Sequence, residues 1–78
     1  MSIYAETLDA YLKRAENKET ELADRIERPQ PTVNRYRNGK RFPDAETARR
    51  IDSATDGEVP FAIWQTEFLS RSGLGEAA

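Results

Sequence analysis

Helix breakers set the terms for this chain. Asn17, Pro29, Asn38-Gly39, Pro43, Asp56-Gly57 and Pro60 fall so close together that each segment between them has room for only a few helical turns. Proline removes a backbone donor and crowds the preceding turn, while Asn-Gly and Asp-Gly pairs leave the right-handed helical region readily. Between the breaks the apolar residues keep helical spacing. Leu8, Tyr11, Leu12 and Ala15 fall at i, i+3, i+4 and i+7, which predicts an amphipathic helix over 5–16 stopped by Asn17. Leu22, Ala23 and Ile26 mark one face of a second helix over 19–26, with Glu19, Glu21, Asp24 and Arg25 on the other. Glu27-Arg28-Pro29 makes a tight turn into a third helix over 30–38, with Val33 and Tyr36 inward, ended by Asn38-Gly39. After the loop Lys40-Arg41-Phe42-Pro43, Asp44 caps a fourth helix with Ala48, Ile51 and Ala54 inward. Pro60 opens a fifth, carrying Phe61, Trp64, Phe68 and Leu69. No segment alternates as a strand does. The expected fold is all-α: a compact bundle of about five short helices, one domain over residues 1–71, and a tail at 72–78.

Composition narrows the function. The 78 residues include no Cys and no His, so disulfide scaffolds, the usual zinc and haem ligands, cysteine nucleophiles and histidine acid-base chemistry are all missing. Carboxylates, Lys and Tyr are the groups left for catalysis. The acidic run Glu19, Glu21 and Asp24 sits at i, i+2 and i+5, which scatters it around a helix instead of converging it. The chain therefore reads as a non-enzyme without cofactor or metal. No apolar run approaches the roughly 18 residues of a membrane span, and charges occur throughout the first twenty residues, so a soluble, cytoplasmic protein without membrane contact is expected.

The formal net charge of −2 conceals a strong asymmetry. Residues 25–50 hold eight Lys and Arg against three Asp and Glu, whereas the segments on either side are net acidic. Because attraction between exposed charges is screened beyond about 8–10 Å, this local basic stripe outweighs the overall sign in deciding a partner.

The stripe lies on a particular arrangement: two short helices joined by a three- or four-residue turn, the second polar and basic outward. That is the helix-turn-helix pattern, which sets its second helix into the major groove of DNA. The run Glu21-Leu22-Ala23-Asp24-Arg25-Ile26 through Gln30-Pro31-Thr32-Val33-Asn34-Arg35-Tyr36-Arg37-Asn38-Gly39-Lys40-Arg41-Phe42-Pro43 resembles the phage repressor and Cro-like family, the XRE-type DNA-binding domains. Its hallmarks are a Leu-Ala helix, a Gln-x-Thr-Val recognition helix and an Asn-Gly-Lys-x-x-Pro loop. The resemblance spans residues 6–56, and Ala54–Pro60 followed by Trp64 is similar to the small Cro/YdaS-type prophage regulators. It implies a lambda-repressor-like fold. The family pattern is departed from at Glu27, where Gly is usual, at Arg28, commonly apolar, at Pro29, where Ser or Thr caps the helix, and at Glu19, where many relatives carry Gln near a phosphate.

Each matched position has a chemistry suited to it. A small Ala23 lets two helices approach, with Leu22, Ile26, Val33 and Tyr36 filling the wedge. Gln30 offers a donor and an acceptor to adenine, Arg35 two donors to guanine. Thr32 suits a phosphate or a thymine methyl, and Asn34 a base edge or the backbone. The resemblance further assigns phosphate contacts to Arg28, Arg37, Asn38, Lys40 and Arg41. Phe61, Trp64 and Phe68 serve either as core, as a dimer interface, or as both.

The resulting expectation is a homodimeric transcriptional repressor of phage or mobile-element type that binds a palindromic double-stranded operator, controls its own promoter and needs no small-molecule effector. Cro-like, antitoxin-like and anti-CRISPR-associated roles all fit. The competing expectation is a protein-interaction module that turns the same basic stripe toward a toxin or a transcription factor.

Overall fold

A computed structural model describes residues 2–16 and 18–72. The described residues form an all-α bundle with no strand among them: α1 Ile3–Arg14, α2 Glu19–Ile26, α3 Gln30–Arg37, α4 Ala45–Ala54 and α5 Phe61–Ser72. The tail expected at 72–78 lies outside the described residues except for Ser72, the last residue of α5.

The first helix begins and ends two residues earlier than the apolar spacing indicated. Ser2 caps it, its hydroxyl accepting the Ala5 amide at 3.0 Å, so the serine supplies an N-terminal stop ahead of the first apolar stripe residue. At the far end Glu16 adopts the left-handed conformation, φ +62°, and turns the chain before Asn17 is reached. The α2 C-terminus is closed by Glu27, also left-handed (φ +58°, ψ +46°). The Arg28 amide returns to the Ala23 carbonyl at 3.0 Å, the bond that satisfies an otherwise orphaned carbonyl at a helix end. Pro29 then enters α3 in extended geometry with φ −61°, and its carbonyl accepts the Thr32 amide. Arg50 of α4 fastens this corner, donating to the Ile26 carbonyl at 3.2 Å and pairing with Glu27 and Glu46.

One core joins all five helices. Tyr4, Leu8 and Leu12 of α1, Leu22, Ala23 and Ile26 of α2, Val33 and Tyr36 of α3, Ala48 and Ile51 of α4, Val59, and Trp64 of α5 are buried together. Each large aliphatic side chain so placed contributes about 1.5–3 kcal/mol over leaving it in water. Ala23 is buried on α2, the helix that packs against both α3 and α4. Buried Thr55 serves the α4–α5 connection, its hydroxyl donating to the Ile51 carbonyl and accepting the Val59 amide. The Tyr4 hydroxyl is buried with no hydrogen-bond partner among the described residues. Burial pushes its pKa far up, with the nearby Asp52 charge adding to the effect.

Candidate nucleic-acid interface

Helix α3 is held from beneath by Val33 and Tyr36 and turns Pro31, Asn34, Arg35 and Asn38 to solvent, with Gln30 and Thr32 half-buried at its start. Its exit is fastened by backbone. The Gly39 amide donates to the Tyr36 carbonyl, and the Lys40 and Arg41 amides both converge on the Arg35 carbonyl at 2.9 and 3.3 Å. Gly39 takes φ +74°, as an Asn-Gly helix stop requires. The loop is then pinned by α5. Phe42 stacks on Trp64 with ring centroids 5.6 Å apart, and the Trp64 indole N–H donates to the Pro43 carbonyl at 2.8 Å. Lys40 and Arg41 thus project from a loop anchored to the core.

The charges divide sharply. Of the twelve Lys and Arg residues, five form ion pairs among the described residues: Lys13, Arg14, Arg37, Arg50 and Arg71. Seven form none there: Arg28, Arg35, Lys40 and Arg41 sit on α3, on its exit loop or on the turn that leads into it, and Lys18, Arg25 and Arg49 belong to α2, its cap and α4. Arg28 donates only to the neighbouring Glu27 carbonyl, at 3.1 Å. Arg28, Thr32 and Arg41 also line a groove of about 590 Å³ whose wall includes Phe42, Trp64 and Phe68.

The other flank of α3 is organised around one carboxylate. Glu19, the first residue of α2, accepts from Gln30 Nε2, from Asn34 Nδ2 at 3.1 Å and from Arg37 Nη1 at 2.7 Å. Arg37 reaches Asp9 of α1 as well, with Nε and Nη2 at 2.8 and 2.7 Å from Oδ1. Only 10% of its side chain remains exposed. Burial works against the charge on Glu19, but hydrogen bonds from Arg37, Asn34 and Gln30, together with the Arg37 charge, outweigh it and hold the carboxyl below the usual range. Asp9 is lowered too, by hydrogen bonds from Lys13 and Arg37. Burial likewise opposes the charge on Arg37, whose pKa is nonetheless raised by its two carboxylate partners.

The expected site residues therefore fall into three groups. Thr32, Arg35, Asn38, Lys40, Arg41 and Arg28 share the α3 face and its margins. Gln30 and Asn34 lie on the same face with their amide groups turned to Glu19. Arg37, expected on phosphate, is folded inward as the bridge among α1, α2 and α3. Of the aromatic series, Trp64 is buried at 5% exposure, Phe61 is half-buried under the Arg49 guanidinium at 4.3 Å, and Phe68 is 41% exposed. Trp64 stacks on Phe61 and Phe68 at 5.0 and 4.8 Å, so the series is core at Trp64 and surface at Phe68. In sequence Glu19 stood out as one of an acidic run and as a departure from the residue usual in the family the chain resembles. Its role as a hub depends on side chains 11, 15 and 18 positions away.

No family model, curated protein or solved structure matches the chain. No helix among the described residues is long and apolar enough to cross a membrane, and no group of three or more His, Cys, Asp or Glu among them could hold a metal ion.

Proposed function

We propose that this protein is a sequence-specific double-stranded DNA-binding repressor that lays α3 in the major groove. The observation that carries this reading is the clustering of four cations that form no ion pair, Arg28, Arg35, Lys40 and Arg41, around one exposed polar helix, whereas the other three such cations, Lys18, Arg25 and Arg49, belong to α2, its N-terminal cap and α4. A cation left without a carboxylate on a protein of net charge −2 is available to phosphate, and binding releases the counterions that the phosphates hold. Arg35, at the middle of the exposed face, reads guanine; Lys40, Arg41 and Arg28 grip the backbone on either side. The Arg37 bridge sets α3 against α1 and α2 and contributes orientation, not contact.

One such helix reads too few base pairs for tight binding, so the protein acts as a homodimer on an inverted repeat, with half-sites about one helical turn apart. Phe68 and Leu69 at the exposed end of α5 supply the apolar surface for pairing. Mobility shift with the DNA upstream of the gene, repeated across a salt series, tests the proposal. A retarded complex whose log affinity falls linearly with log salt is expected, with protection of two symmetric half-sites in a footprint. Equal, weak binding to every duplex, or none, would instead favour a protein-binding role for the basic face.

A further inference from the structure

The amides around Glu19 all point the same way. A carboxylate can only accept, so Gln30 and Asn34 must each face it with their NH2 groups. The third amide follows suit, Asn38 Nδ2 donating to Asn34 Oδ1 at 3.0 Å. Arg37 fixes the carboxylate from the opposite side at 2.7 Å and is itself fixed by Asp9. The Gln30 carbonyl oxygen is left with no partner among the described residues, at the first position of α3. We propose that Glu19 acts as a positioning residue for specificity: by holding the Gln30 amide through its nitrogen, it makes the outward group an acceptor, which selects adenine or cytosine in the major groove.

This inference rests on the DNA-binding reading above. Its chemistry is that of the base edges. Adenine N6 and cytosine N4 are the exocyclic amines displayed in the major groove, whereas guanine shows only O6 and N7 and thymine O4 beside a methyl group. A free glutamine amide can turn over to suit either kind. With Glu19 ionised, turning Gln30 over would set its carbonyl against the carboxylate, so the donor-outward state is disfavoured. In Glu19→Gln that restriction is lifted: the new carboxamide can give its carbonyl to Arg37 and its NH2 to the Gln30 carbonyl, which turns the Gln30 NH2 outward.

The test is selection from a randomised duplex library by the full chain, by Glu19→Gln and by Gln30→Ala. Gln30→Ala identifies the base position that depends on this side chain. At that position the wild type is expected to prefer adenine or cytosine over guanine by at least about fivefold, and Glu19→Gln to lose that preference or to admit guanine. Because Glu19→Gln also weakens the Arg37 bridge, a second measurement uses the wild-type chain alone. In its nitrogen-15 spectrum one of the two Gln30 side-chain amide protons should lie downfield of the free-glutamine position at neutral pH. Guanine or thymine at the Gln30 position, an unchanged preference in Glu19→Gln, or both Gln30 amide protons at free-glutamine positions each overturns the positioning role while leaving DNA binding intact. A library from which the wild type enriches nothing overturns the DNA-binding reading, and this inference with it.

Discussion

Helices α3 and α5 are both short, and both carry residues that the sequence offers as contact surfaces, yet they use them in opposite ways. On α3 Val33 and Tyr36 are buried and Arg37 is folded inward onto Asp9 and Glu19, while Pro31, Asn34 and Arg35 stay exposed. On α5 the residue most suited to an interface, Trp64, lies in the core among Phe42, Phe61 and Phe68. The difference teaches that the aromatic helix serves the cationic one: Trp64 holds Pro43 and Phe42, and through them the loop bearing Lys40 and Arg41. The exposed cations depend on burial beside them, since Arg28, Thr32 and Arg41 share one groove with Phe42, Trp64 and Phe68.

The contrast breaks most visibly at Trp64. Trp64→Ala removes three stacked rings' common partner and the indole bond to Pro43, and is expected to cost about 3–5 kcal/mol, enough to unfold a domain of this size in thermal melts. Phe68→Ala should behave differently. It loses one exposed stack, about 1 kcal/mol, keeps the helical circular dichroism signal, and shifts sedimentation from dimer to monomer. A Trp64→Ala chain that melts like the wild type would show that α5 is an appendage after all.

The next largest effect separates the two kinds of cation near α3. Arg35→Ala should cost about 1–3 kcal/mol on the cognate duplex and relax preference at one base position per half-site. Lys40→Ala should weaken cognate and random DNA alike and reduce the slope of log affinity against log salt by about one per subunit. If both variants keep wild-type affinity for DNA while a protein partner is lost, the face belongs to a protein interface.

Much of this architecture was legible in the sequence because it is local. The turn Glu27-Arg28-Pro29, the stop at Asn38-Gly39 and the Asp44 cap, whose carboxylate accepts the Thr47 amide at 2.8 Å, each follow from two or three adjacent residues. The early start of α1 was equally local: Ser2 is a capping residue, and Tyr4 extends the Leu8 and Leu12 stripe backward by one turn. Thr47 and Val59 are another matter. One is a polar residue on a helix and the other lies in a connection without periodicity, so their complete burial is decided by the helices that close over them. The same holds at the site. That Arg37 would meet Asp9 and Glu19 instead of a phosphate depends on how α1, α2 and α3 pack, and no spacing along α3 encodes it.

Acid should expose that packing. Asp9 and Glu19 both have pKa values lowered in the fold, from 3.8 and 4.5 respectively, so the folded state binds their protons less readily than the unfolded chain does. Their contribution to stability is complete above those ordinary values and is lost as pH falls through them toward the lower folded values. Melting temperature should therefore hold from neutral pH down to about 5 and decline below it. Glu19→Gln, which has no proton to take up there, should show a shallower decline. An identical slope in the variant would mean that the acid response arises elsewhere, and that the Glu19 flank of α3 is less firmly built than its three hydrogen bonds imply.

The smallest effect concerns the turn that presents α3. Glu27 is held at φ +58°, a conformation that costs an ordinary L residue on the order of 1 kcal/mol and glycine almost nothing. Its carboxylate pairs with Arg50 at 3.2 Å, but the Glu27 side chain is 76% exposed, and an exposed pair of this kind contributes little. Arg50 would in any case keep its bond to the Ile26 carbonyl. Glu27→Gly should therefore raise stability by about 0.5 kcal/mol after the added freedom of the unfolded chain is set against the relieved strain. Glu27→Ala keeps the strain and loses the pair, so it should be neutral or slightly destabilising. Denaturant melts of the two variants side by side measure the difference, and DNA affinity should be unchanged in both, since the proposed contacts are those of Arg28, Arg35, Lys40 and Arg41 and not of Glu27. Should glycine destabilise as much as alanine does, the left-handed turn is not under strain, and the Arg50 pair, not backbone conformation, fixes the angle at which α3 is offered.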